Sequence, residues 1–329
     1  MKTKLLLAAI LSTASTAYAG CGSAFCSVNT HWDTQGLAGD DGLRVDLRYS
    51  YAKAETPRVG SSKVAKPLAS DPNLVGAEVE NLRTINQLLK MNVDYAINPQ
   101  WGVAVDLPVV MRDHSHQIGD LVPANVTTEQ KSFSKLGDIR VLGNYKLPSS
   151  ERHAGNGLRI GIKLPTGDTN LEMVADTPLE AGLQPGSGST DVVLGAYHHQ
   201  DLENAPWGWF VSGQIQTAVS LKNDYRPGDD VALDLGAHYA VSPTLTGLLQ
   251  LNAHYKKADS GTAANSNPHT GGRSLNISPG LSFSFAPRTK LYSFVQLPLY
   301  QYANPDPAGS GYGQLTAPWS FSMGVSHSY

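Results

Sequence analysis

Cysteine, charge and long apolar runs are all scarce in this chain of 329 residues. It has only 2 cysteines, which excludes a disulfide framework as the basis of the fold. Charged residues make up 16%, against roughly 25% in an ordinary soluble domain. Lys+Arg (25) and Asp+Glu (28) nearly cancel, leaving a net charge of -3, which argues against nucleic acid as the main partner. Past the first residues, no stretch approaches the roughly 20 apolar residues that a membrane-spanning helix needs. What is abundant is glycine (32) and tyrosine (14), with a mean hydropathy of -0.23. That mixture suits a sheet with one apolar face.

Residues 1–19 read as a secretory signal. Lys2 and Lys4 supply the positive start, Leu5 to Leu11 a short apolar core, and Ala17-Tyr18-Ala19 a small-residue cleavage site before Gly20. Export places Cys21 and Cys26 in an oxidising compartment, where they are expected to form a disulfide. Two other readings stay open: acylation of Cys21, although Tyr18 stands where a lipobox has leucine, and a metal site shared with His31, which falls short of a closed tetrahedral shell. Residues 20–41 show no strand pattern. They are expected on the periplasmic side or folded into the lumen as a plug.

From residue 42 to the end at 329, segments of about ten residues alternate apolar and polar side chains. Leu43, Val45, Leu47, Tyr49 and Tyr51 face one way, and Arg44, Asp46, Arg48 and Ser50 the other. The same alternation recurs through 89–97, 103–112, 137–147, 158–164, 209–216, 231–241, 245–255, 275–285 and 319–326. Segments 191–199 and 291–302 are strand-like, but their facing is mixed. The polar face carries Arg44, Asp46, Arg48, Lys90, Asp94, Asp106, Asp138, Arg140, Lys146, Arg159, Lys163, Asp234 and His254, the candidate lumen-lining residues.

The connections alternate long and short. Long ones lie near 56–84, 113–135, 168–190, 218–230, 258–272 and 303–313. Short ones lie near 98–100, 148–156, 201–206, 242–244 and 286–288. Outer-membrane barrels have long outer loops and short periplasmic turns. Apolar-face aromatics cluster at strand ends, with Tyr95, Trp101, Tyr145, Trp209, Tyr239 and Phe285 beside short turns. Tyr51, Tyr255 and Trp319 lie beside long loops. Two such belts mark the two interfaces of a bilayer. The expected fold is therefore an all-β, antiparallel transmembrane barrel of about twelve strands in the bacterial outer membrane, an even count leaving no edge exposed to lipid.

Four segments carry a family resemblance: Leu136-Gly-Asp-Ile-Arg-Val-Leu-Gly143, Leu158-Arg-Ile-Gly-Ile-Lys-Leu-Pro-Thr-Gly-Asp168, Gln184-Pro-Gly-Ser-Gly-Ser-Thr-Asp191 and Tyr225-Arg-Pro-Gly-Asp229. With Phe294-Val-Gln-Leu-Pro-Leu-Tyr300 and the aromatic last strand, the chain resembles outer-membrane proteins named for the meta-cleavage pathway of phenol degradation. The resemblance implies a twelve-stranded barrel that moves small hydrophobic or aromatic solutes. It carries no functional residues over. The ending Val325-Ser-His-Ser-Tyr329 looks like the signal read by barrel-assembly machinery, with tyrosine in place of the usual phenylalanine.

Few residues suggest other chemistry. His114 and His116 lie on one side of an extended chain and could hold Zn²⁺ or Cu²⁺ with Asp113, but a polar outer loop with two solvated histidines is the simpler reading. His198 and His199 point to opposite faces of a strand and cannot chelate together. Counting back through Ser242-Pro243-Thr244 sets His254 opposite Ala232 and diagonal to Asp230 and Asp234. A His–Asp pair could be half of a hydrolase site, yet no G-x-S-x-G turn supplies a nucleophile. Gly186-Ser-Gly-Ser189 is followed by no lysine and does not cradle phosphate. No enzyme, metal or cofactor is expected. The leading expectation is a channel for small solutes, with outer-membrane lipid and the assembly machinery as partners. The alternatives are a filled barrel with a structural or binding role, and a barrel hydrolase.

Overall fold

A computed structural model describes residues 28–35, 42–149, 151, 153–222, 224–261, 270–305 and 313–329. Residues 1–19, expected to be a secretory signal, and the expected disulfide Cys21–Cys26 lie outside the described residues. Alternating apolar and polar side chains draw the chain into long strands, because one face can then meet lipid while the other faces inward. The strands are β1 (Gly42–Ala54), β2 (Glu78–Ala96), β3 (Trp101–Ile118), β4 (two runs, Thr127–Leu136 and Ile139–Leu147), β5 (Ala154–Leu164) and β6 (Ser189–Asp201). They continue as β7 (Trp207–Leu221), β8 (Asp230–Ala240), β9 (Leu245–Lys256), β10 (Gly272–Ala286), β11 (Thr289–Ala303) and β12 (Ser320–Ser328).

Each strand pairs antiparallel with the next, and β1 pairs with both β2 and β12. The seam from Arg44↔Ser328 to Ala52↔Ser320 closes a twelve-stranded barrel. Every outer connection is longer than every inner one. The outer loop after β1 and the one before β12 meet in a small sheet of Thr56–Val59, Ser62–Lys63 and Gln314–Thr316.

β4 is broken at Gly137-Asp138. Its outer run pairs with the outer half of β3, from Val109↔Leu136 to Ile118↔Thr127. Its inner run pairs with Trp101–Asp106 of β3 and with β5. The Gly137 amide donates to the Pro108 carbonyl, which anchors the break.

Three expectations need correction or completion. The segment 113–135 is not a loop: β3 runs on to Ile118, β4 begins at Thr127, and only the turn between them is irregular. Both faces of this hairpin are polar because it rises above the bilayer, so no period-2 signal marks it. In β6 the inward residues are Val193, Tyr197 and His199. The mixed facing of β11 comes from a bulge: Leu275 pairs with Tyr300 but Asn276 with Pro298, which flips the side-chain parity beyond it.

The outward face is apolar. Leu47, Ile160, Leu194, Leu233, Leu249, Leu281 and Met323 are all exposed. A continuous apolar band of this size would be untenable in water and fits lipid. Aromatic pairs sit at its margins: Trp101–Tyr145 and Trp207–Tyr239 at the inner end, Tyr51–Trp319 at the outer end. Leu233 lies mid-strand in β8 with about half its surface open (52%). Leu233→Arg should lower stability by about 2–4 kcal/mol. Urea unfolding in phospholipid vesicles measures it, and an unchanged midpoint would mean that this face does not meet lipid.

Inward-facing rings share one packing rule. Each stands directly across from a glycine on the neighbouring strand: Tyr197 and Gly157, Phe210 and Gly236, Tyr292 and Gly324, Phe294 and Gly280. A Cβ on Gly324 would lie 2.5 Å from the Tyr292 hydroxyl, and one on Gly236 would lie 2.2 Å from the Phe210 ring. The missing side chain lets the ring lie flat across the next strand, so a narrow barrel can hold it.

Candidate functional site

The twelve strands enclose a lumen whose walls differ. On the β7, β11 and β12 side, Phe210, Tyr292 and Phe294 make an aromatic wall. On the β1–β5 side, the wall is charged. All the polar-face residues named above lie on strand faces turned inward except Asp138, which stands in the break of β4.

Most of these charges are tied to one another. Arg44 meets Asp94 at 2.7 Å near the inner mouth, where Lys146 lines the same small cavity. Lys90 lies 3.4 Å from Asp106, which also accepts from Asn92 at 2.7 Å. Arg159 donates to Asn144, and Asp234 accepts from Asn252. Lys163 lies 2.9 Å from Asp191 and 3.4 Å from Asp138. His254 stands opposite Ala232, with its Nε2 2.9 Å from Asp230, and Ser274 is its partner across β10. Arg140 differs: among the described residues its guanidinium makes no hydrogen bond or ion pair, and it lines two adjoining lumen cavities.

Residues 28–35 lie within this ring of strands. The Asn29 amide donates to Gln250 Oε1 (3.1 Å), Gln250 Nε2 donates back to the Asn29 carbonyl (2.9 Å), and Asn29 Nδ2 donates to Ser212 (2.8 Å). Arg48 donates to the Val28 carbonyl and to Thr30 Oγ1. A short 3-10 turn, Trp32–Gln35, brings the Trp32 indole edge-on to Tyr292, 4.8 Å between ring centres. Trp32 Nε1 and the Tyr292 hydroxyl both donate to Asp46. Val28 and Trp32 are almost wholly buried and cluster with Leu248, Tyr292 and Phe294.

Two spaces lie in the lumen, the smaller of them against this segment. The larger, about 370 Å³, opens toward the outer loops and is lined by Arg48, Lys90, Arg140, Lys163 and Lys256, with Asp106, Asp138, Asp191 and Asp230. The smaller, about 70 Å³, runs beside Val28 to His31. It brings Arg48, Lys90, Arg140, Arg159 and the Tyr197 ring together with one carboxylate, Asp234. Four cations against one carboxylate make this wall electropositive, and the two spaces share Arg48, Lys90 and Arg140, so an anion would be drawn here more strongly than a neutral solute.

The expectation for His114 and His116 is corrected. They are not solvated: His114 is 0% exposed and His116 2%. Both point inward from the outer end of β3, while Asp113 faces the other way, near Arg83 and Gln130. Their neighbours are Glu78 and Glu80 of β2 and Glu129 of β4, residues that no sequence pattern had linked to them.

Residues 88–312 match the family model described as "Putative MetA-pathway of phenol degradation". No curated protein sequence matches the chain. Among solved structures, the COG4313 outer membrane channel from Pseudomonas putida F1 superposes with a TM-score of 0.65 at 13% identity, covering 92% of this chain and 100% of that one. The β domain of the Bordetella autotransporter BrkA gives 0.46 at 12% identity (88% and 100% covered). The P. putida toluene transporter TodX gives 0.43 at 10% identity (88% and 91% covered). At these identities the likeness speaks for the fold, and the barrel places the chain in the bacterial outer membrane.

Proposed function

Because the chain belongs to the family named for the MetA pathway of phenol degradation, we propose that it is an outer-membrane channel for small aromatic solutes, and that it favours those bearing a carboxylate. The observation that carries this reading is the space beside residues 28–31, where Arg48, Lys90, Arg140 and Arg159 surround the Tyr197 ring. An aromatic anion would stack its ring on tyrosine and pair its charge with Arg140, whose guanidinium makes no other hydrogen bond or ion pair among the described residues. A neutral hydrocarbon would gain nothing from Arg140. No step in this reading is catalytic. It takes residues 1–19 as a removed signal, residues 20–41 as a lumen plug anchored through Asn29 and Trp32, and Tyr329 as the terminal residue read by the assembly machinery.

Single-channel recording of the refolded mature chain in a planar bilayer tests it. The reversal potential in a salt gradient should favour anions, and benzoate should block at lower concentration than benzyl alcohol. Arg140→Gln should remove most of the difference between the two solutes, about 1.5–3 kcal/mol for a hydrogen-bonded ion contact, or roughly ten- to a hundredfold in blocking concentration. Equal block by both solutes would defeat the anion preference. A folded barrel that carries no current would instead favour the filled-barrel reading.

A further inference from the structure

The outer hairpin of β3 and β4 carries a cluster that the lumen does not use. Four side chains, Glu78, Glu80, His114 and His116, each offer one donor atom, and the four atoms lie within 4.8 Å of one another. His114 Nε2 and His116 Nδ1 are 3.1 Å apart. Glu80 Oε1 lies 3.3 Å from the first and 3.8 Å from the second, and Glu78 Oε1 lies 2.6 Å from the second. We propose that this cluster binds one divalent transition-metal ion of the Zn²⁺ type, which clamps the outer ends of β2, β3 and β4.

Three observations support it. First, the spacing fits. Metal–donor bonds of roughly 2.0–2.1 Å in a tetrahedron set the donors about 3.3 Å apart, and the four measured separations bracket that value. Second, each histidine is oriented by its far nitrogen. His114 Nδ1 meets Thr84 Oγ1 at 2.8 Å, and His116 Nε2 meets Glu129 Oε2 at 3.1 Å. With those nitrogens donating, the two inner lone pairs face one another. That is the arrangement of ligands held by an outer shell, and it repels without a cation between them. Third, Glu80 is almost wholly buried, and neither of its carboxylate oxygens accepts a hydrogen bond. A buried carboxylate without such partners is costly, and a bound cation satisfies it. Two imidazoles and two carboxylates suit Zn²⁺ or Cu²⁺ rather than Ca²⁺ or Mg²⁺, which prefer all-oxygen shells.

The test uses the full mature barrel, refolded without a histidine tag and with Cys21→Ser and Cys26→Ser, so that no other thiol or tag competes. Titration with Zn²⁺ against a chromophoric chelator should show one ion per chain. Co²⁺ should give the intense visible bands of a tetrahedral site. Glu129→Gln should weaken binding about 10–100-fold through the outer shell, and His116→Ala should abolish stoichiometric uptake. Glu80→Gln keeps the side-chain volume, so it serves if the histidine variant fails to refold, and it should also lose most of the affinity. Absence of stoichiometric uptake would overturn the proposal and leave a proton-bridged His–Glu cluster. Uptake that the His116 and Glu80 substitutions leave unchanged would overturn it equally, by placing the metal elsewhere.

Discussion

Removing residues 20–41 should raise the unitary conductance of the barrel several-fold. The described part of this segment lies in the lumen against the aromatic wall, with the smaller space between it and the charged wall. Its hold is polar as well as apolar: Gln250, Ser212 and Arg48 bind its backbone and side chains, and Asp46 ties Trp32 to Tyr292. Each such bond is worth about 0.5–1.5 kcal/mol, more where a charge takes part, so several acting together hold the segment down most of the time. Two further variants separate plugging from a general loosening of the barrel. Trp32→Ala removes the ring between Tyr292 and Asp46 and should give brief, repeated openings rather than a steady pore. Arg48→Lys keeps the charge but shortens the side chain whose Nη1 donates to both Val28 O and Thr30 Oγ1, and should fall between wild type and deletion. If conductance does not change on deletion, the segment does not limit passage and the plug assignment fails.

Lys163→Met should destabilise the barrel by about 3–5 kcal/mol. The Lys163 ammonium is nearly buried and donates to Ser187 and Ser189, beside Asp138 and Asp191. Asp138 also accepts from the Ser187 amide and hydroxyl and from the Gly167 amide, and Asp191 accepts from Ser189 and Gln216. The lysine therefore sits at a knot that joins β5, β6 and the break in β4 to both ends of the outer loop between β5 and β6. Its loss leaves two carboxylates facing each other without a counter-charge. The cost is that of the stranded charges, not the net worth of the pair. Adding Asp191→Asn to Lys163→Met should return part of the loss, because one of the two charges is then gone. Urea unfolding in detergent, followed by tryptophan fluorescence, measures both variants. A loss below about 1 kcal/mol would mean that water already screens the site. Lys163 is thus a structural residue at the edge of the lumen, whereas Arg140, one strand away, makes no hydrogen bond or ion pair among the described residues and is the one proposed to meet a solute.

The barrel was legible from the sequence because lipid enforces the pattern that reveals it. Between the two aromatic belts, each outward position must be apolar, and Leu43 to Tyr51 or Trp319 to Val325 show this plainly. Above the belts, no lipid demands an apolar outward face and the constraint vanishes. Arg112 to Gln117 and Thr127 to Ser132 are polar at nearly every position, so the tall β3–β4 hairpin reads as a loop. Strand facing failed for similar local reasons. In β6 the inward Val193 and Tyr197 are as apolar as the outward Val192 and Leu194, and in β11 a bulge changes the parity midway. The charged residues could be assigned to one face but not to partners, since pairing across three or four strands depends on register and tilt. The histidine cluster was hidden for that reason: Glu78 and Glu80 lie more than thirty positions before their partners, beyond a register shift in β2. One missed signal was present. An aromatic on a polar face with glycine at the paired position next door, as for Phe210 and Gly236, marks a ring folded across the lumen.

The placement of Trp32 bears on the order of assembly. Its two hydrogen-bonding and stacking partners, Asp46 and Tyr292, belong to β1 and β11, strands on opposite flanks of β12. These partners are joined in space only when the first and last strands of the chain meet, the contact of greatest sequence separation and hence the latest and slowest to form. The Trp32 contacts are therefore complete only in the closed barrel, where one indole ties together from inside the two strands that flank the closing one.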